Sequence, residues 1–65
     1  MIGQLARASG RSLEVRVLQS AAGFYLGTVD SDGFPYSRES VEYWPEEADA
    51  AVALTNGNWT QRTYS

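Results

Sequence analysis

The chain of 65 residues contains no cysteine and no histidine, and all five of its cations are arginine. Without cysteine there is no disulfide and no thiolate metal site, and without histidine the commonest metal ligand and the commonest general base are both missing. Long apolar runs are missing too. None approaches the roughly 20 residues that span a bilayer, and the opening "MIGQLARASGRS" has no apolar segment of the signal-peptide kind. A cytoplasmic protein with no membrane contact is the expectation. An all-arginine set suits bidentate contacts to carboxylate or phosphate, and it is also what a GC-rich coding bias produces. The length allows one domain with one thin core, since a domain this small buries only roughly 60% of its unfolded surface. With 43% hydrophobic residues, the chain is nonetheless too apolar to be read as disordered.

The net charge of −3 conceals a segmental imbalance. Residues 1–29 carry Arg7, Arg11 and Arg16 against Glu14, a net +2. Residues 30–50 carry Asp30, Asp32, Glu39, Glu42, Glu46, Glu47 and Asp49 against Arg38, a net −6. A field of that sign attracts basic partners and repels phosphate backbones.

Residues 1–12 show no sustained period and read as a frayed N-terminal arm, with a single α+β domain over 13–65. "LEVRVL" (13–18) alternates Leu13, Val15 and Val17 against Glu14 and Arg16, as a half-buried strand does. "QSAAG" is a turn, and the aromatic, β-branched "FYLGTV" (24–29) should pair antiparallel with the first strand. Gly27 inside it signals a bulge or a close approach. "DSDG" (30–33) is turn chemistry; an EF-hand loop would need oxygen ligands at the positions held by Phe34 and Val41, so no metal site is expected. A third strand falls within 34–44, with Pro35 at an edge or first position. Its stronger half is "SVEYW", placing Val41 and Tyr43 on one face and Glu42 and Trp44 on the other. "PEEADAAVALTNG" predicts the one helix, with acids in its first turn, Gly57 at its end, and a buried stripe of Ala48, Ala51, Val52 and Thr55 with Leu54 at the margin. "NWTQRTY" returns as a short strand with Trp59 in the core. The expected architecture is β-β-β-α-β: a small antiparallel sheet of three to four strands with one helix on one face.

No constellation completes a catalytic pattern. Ser37 and Ser40 flank Glu39, but an adjacent acid in an extended segment is expected to leave by the opposite face, so no serine–glutamate pair is predicted. The carboxylates at the helix start are solvated, and they would repel a phosphate. Neither a cofactor nor direct nucleic-acid binding is expected. Phe24, Tyr25, Tyr36, Tyr43 and Trp44 could form a stacking platform, but the segment holding most of them is the most acidic in the chain. A carboxylate array on a small scaffold does, however, carry the charge sign of a nucleic-acid backbone, and it suits the groove of a nucleic-acid-binding protein.

The succession from Gly23 to Arg62, with an aromatic strand ending in Gly-Thr, then "YSRES", an aromatic pair, an "EEA" helix and "GNW", resembles small accessory proteins of bacterial phages and mobile elements. That resemblance implies no enzymatic activity. Its genomic company includes anti-defence proteins such as anti-CRISPRs, and together with the −6 segment it leads to the expectation of a non-enzymatic protein-binding module that engages, through the acidic surface around residues 30–49, a host protein. The residues expected to bind it are Asp30, Asp32, Tyr36, Arg38, Glu39, Glu42 and Trp44. The alternative is a structural homodimer that pairs edge strands.

Overall fold

Strand pairing begins at Arg16, inside the alternating stretch 13–18, and continues through Gln19 and Ser20, which were expected in the turn. The computed structural model describes residues 1–63, whose elements run α1 (Gln4–Ala8), β1 (Arg16–Ser20), β2 (Gly23–Val29), β3 (Pro35–Arg38) and α2 (Glu47–Asn56). The strands form one antiparallel sheet in the order β1-β2-β3, which is the expected α+β class. In the β1–β2 hairpin Val17 pairs with Leu26 and Leu18 with Tyr25. Gly23 ends the turn at φ 127°, a conformation that L side chains rarely adopt. A Cβ there would also stand 2.8 Å from the Trp44 carbonyl oxygen. In the next turn Asp30 Oδ1 accepts from the backbone N–H groups of Asp32 at 2.9 Å and Phe34 at 3.0 Å. Pro35 then opens β3, an edge strand, where its missing N–H costs no ladder bond.

Alternation along β2 divides the molecule. Phe24, Leu26 and Thr28 face the helices, and Leu26 meets Val15 and Ala50 at the centre of the core. Val17, Phe24, Trp44, Leu54 and Trp59 pack around that centre. Tyr25 and Gly27 face the other way. The expected bulge is not at Gly27, because the register shifts between Thr28 and Val29 instead. Gly27 is the close-approach site: a Cβ on it would lie 2.9 Å from Tyr25 Cε2.

Four local expectations are corrected. Residues 1–12 are not a bare arm, for they hold α1, with Ala6 fully buried. The Gly3 N–H donates to the Leu13 carbonyl at 2.9 Å, and Val15 N–H to the Met1 carbonyl at 2.8 Å. A helix of five residues is too short to show a period, so no apolar pattern announces it. In α2 the buried residues are Ala50 and Ala53, with Leu54 against the core, while Ala48, Ala51, Val52 and Thr55 are exposed. Two alanine sets satisfy the same spacing, and the bulk of Leu54 decides between them. "SVEYW" is not the stronger half of β3. The ladder stops at Arg38, and Trp44 returns to the sheet only through a single bridge with Phe24. The last stretch, expected as a strand over 58–64, makes one bridge, Gln61 with Ser40; Tyr64 lies outside the described residues.

Candidate functional site

"YSRES" is where the chain leaves the ladder. Leu26 carbonyl accepts from both Glu39 N–H at 2.8 Å and Ser40 N–H at 3.0 Å. Two residues facing one is the geometry of a bulge, which re-aims side chains. Each member of the motif then has a different task. Ser40 is fully buried, and its Oγ accepts from Leu26 N–H at 3.0 Å while donating to the Glu42 carbonyl at 2.9 Å. Glu39, also fully buried, turns toward α1. Its Oε1 accepts from Leu5 N–H at 2.9 Å and Gln61 Nε2 at 2.8 Å, and its Oε2 from Ala6 N–H at 3.1 Å and Ser37 Oγ at 2.6 Å.

Gly3, the N-cap residue of α1, offers no side chain. The bonds to the second and third helical N–H groups that a capping side chain normally makes therefore come from Glu39, far away in the sequence. A Cβ on Gly3 would lie 2.7 Å from Glu39 Oε2, so the glycine leaves room for the carboxylate. At the other end of α1, Tyr36 hydroxyl shares a hydrogen with Ser9 Oγ at 2.6 Å, and the Arg11 guanidinium lies 4.9 Å from the Tyr36 ring centre.

Contrary to expectation, Ser37 and Glu39 do meet, because residues two apart in an extended segment share a face. The pair is nevertheless poorly suited to nucleophilic chemistry. Burial alone would raise the Glu39 pKa, but the donors from Leu5, Ser37, Gln61 and Ala6 outweigh it and hold the carboxyl below its ordinary value. A carboxylate so satisfied is a weak base. Ser37 Oγ is moreover shared with Thr28 Oγ1 at 2.6 Å.

Arg38 takes the opposite face, level with Gly27 and with Arg16 across the sheet. Its guanidinium carbon lies 4.8 Å from the Tyr43 ring centre, and its Nη1 donates to the Tyr43 hydroxyl. Tyr43 in turn meets Tyr25 edge to face, with ring centres 5.8 Å apart. Tyr25 is buried beneath them, and that burial, with Tyr43 beside it and Arg38 opposing, raises its hydroxyl pKa. The outermost groups of this layer are Tyr43, 37% exposed, and Val41, 51% exposed.

The expected partner-binding set does not come together. Glu39 is buried, so it has no surface to offer. Trp44, expected among the partner-binding residues, packs against the core, and Val41 and Tyr43 on the other face of that segment are the exposed ones. Glu42 is held by both carboxylate oxygens on Thr60 N–H at 2.9 and 3.0 Å. Its pKa lies below the usual value because those bonds outweigh desolvation, which alone would raise it. Asp30 and Asp32 are in the turn at the Val29 end of β2, whereas Glu46 and Glu47 follow Trp44 at the Phe24 end. Five residues of strand, about 16 Å, separate the two groups. Tyr36 clamps α1, and Arg38 is the member that remains on an open face. Val41, Tyr43 and Arg62, which join Arg38 there, were not legible as site residues; only the fold brings them to it.

The chain matches no family model, no curated protein and no solved structure.

Proposed function

We propose that this chain is a non-enzymatic protein-binding module, of the accessory kind carried by phages and mobile elements, and that it engages a host protein through the sheet face opposite its helices. The observation that supports this reading is the Arg38–Tyr43–Tyr25 layer. It puts a guanidinium and two tyrosines on a face over which no described helix lies, with Val41 beside them. Tyrosine and arginine on a packed support are the residue types that dominate binding hot spots, because they carry large contact area at low entropic cost. The carboxylates are dispersed or engaged in the fold, so the acidic-surface form of the proposal has less support than this basic, aromatic form.

The test is capture from host lysate by parent, Tyr43→Ser and an Asp32→Asn/Glu46→Gln/Glu47→Gln triple variant. Capture lost only in Tyr43→Ser supports the face; capture lost only in the triple variant refutes it and restores the acidic surface. A second reading, the homodimer, is favoured by β1, an edge strand with one side unpaired within the sheet. Sedimentation across micromolar to millimolar concentration separates the two, since only the homodimer changes mass with concentration alone.

A further inference from the structure

Beside β3, a cleft of about 320 Å³ is lined by Arg38, Val41, Gln61, Arg62 and Thr63. It contains two guanidinium groups and no carboxylate side chain. Among the described residues the only ion pair is Met1 ammonium with Glu14, so neither guanidinium of the cleft is ion-paired with a described residue. Arg62 directs Nη1 to the Arg38 carbonyl at 3.3 Å, its one side-chain bond among the described residues, while its backbone N–H is fixed on the Glu39 carbonyl at 2.7 Å. Arg38 is held in place by Tyr43, yet its Nε is buried without an acceptor, and it is the only such side-chain atom among the described residues. That nitrogen is closed to solvent, and Nη1 is taken by Tyr43, so the part of the Arg38 fork left for a ligand is Nη2.

From this geometry we infer that the cleft is a carboxylate-binding site. Two forked donors, one anchored on Tyr43 and the other through its backbone, match the paired oxygens of a carboxylate. Val41, apolar and half exposed, forms the wall against which the carbon adjoining the carboxylate rests. The carboxylate belongs to a peptide, either at its C-terminus or on an acidic side chain. The site adjoins the proposed protein-binding face but does not rest on it, because a short peptide binds or fails to bind whether or not a folded host partner exists.

The experiment is an NMR titration of ¹⁵N-labelled protein with four probes: acetyl-Ala-Ala-Ala as the free acid, the same peptide as its amide, acetyl-Ala-Glu-Ala-amide, and inorganic phosphate. The expected result is saturable shifts at the Val41, Arg62 and Thr63 amides and at the arginine Nε–H groups, with the free acid or the glutamate peptide and not with the neutral amide. Whichever of the two binds identifies the source of the carboxylate. Arg62→Gln, which keeps the backbone bond to Glu39, should weaken binding about tenfold or more. Arg38→Gln risks loosening the Tyr43 layer, so Val41→Glu serves as the second variant: it places a carboxylate in the cleft and should abolish binding without lowering the melting temperature. Equal shifts with the neutral amide, tighter binding of phosphate than of either carboxylate peptide, or no shifts with any probe at tens of millimolar would each overturn the inference.

Discussion

Replacing Glu39 with glutamine tests the central claim about "YSRES" with the smallest available change. The carboxylate is fully buried and accepts four hydrogen bonds, two at each oxygen. An amide has one oxygen to offer. If its nitrogen takes the Oε2 position it confronts Ala6 N–H, and if it takes the Oε1 position it confronts Leu5 N–H, so one backbone donor of α1 loses its partner either way. A stranded buried donor costs about 1–3 kcal/mol, and the remaining bonds lose their charge assistance, so about 3 kcal/mol in total is a fair figure. A domain of this length has roughly 3–10 kcal/mol of stability altogether. The melting temperature should drop by about 12 °C or more, read by circular dichroism, and the Leu5 and Ala6 amides should lose their protection from hydrogen exchange. The same carboxylate sets a pH dependence. Its folded pKa lies below the ordinary 4.5, so the stabilisation is complete above that value and is lost as pH falls through the folded pKa. In Glu39→Gln that part of the acid destabilisation should be missing. A variant that melts within about 4 °C of the parent, with the same acid profile, would refute the capping role.

Other substitutions test the rest of the fold. Trp44→Ala and Trp59→Ala should both destabilise, by about 3 kcal/mol each, because both rings pack against the Leu26 core; a Trp44→Ala protein that melts like the parent would return that ring to the surface. Gly3→Ala keeps an ordinary backbone φ of −68° but drives a methyl against Glu39 Oε2 and Thr28 Cγ2, each 2.7 Å away, so a loss of about 2 kcal/mol is expected in chemical denaturation. The Asp32→Asn/Glu46→Gln/Glu47→Gln triple variant should fold within about 0.5 kcal/mol of the parent, since all three side chains are exposed and none accepts a hydrogen bond from another described residue.

The strands and turns were legible because their signals are local. Alternation in "LEVRVL", the Asp-Gly turn and the position of Pro35 each depend on residues within a few positions of one another; β2, the Asp-Gly turn and the start of β3 fall close to where they point, while β1 starts three residues later and ends two residues later than the alternation. Acids in the first turn, small-residue spacing and Gly57, at φ 68°, likewise placed α2. Its rotation was hidden, because alanines at 48 and 51 or at 50 and 53 give the same small-residue spacing. α1 was illegible for a different reason. A five-residue helix without a capping side chain has no sequence signature, since what completes it arrives from Glu39, 33 and 34 positions away. Non-local capping converts a residue that looks like surface charge into the most fully engaged polar group of the core.

That conversion changes what the −6 segment can mean for function. Seven carboxylates in sequence suggest one acidic surface, but chain geometry divides them. Glu39 is inside, Glu42 holds Thr60, Asp30 holds its own turn, and the helix-start acids stand a strand length away from Asp32. The cations behave in the opposite way. Arg16, Arg38 and Arg62 come from well-separated positions, yet the sheet register sets the first two level on one face, and the return after α2 brings the third beside Arg38. Charge that is contiguous in sequence is therefore dispersed in space, and charge that is scattered in sequence is gathered. An interaction surface is defined by what is adjacent after folding, and so the proposed carboxylate site draws on these gathered arginines and not on the charge that is contiguous in sequence.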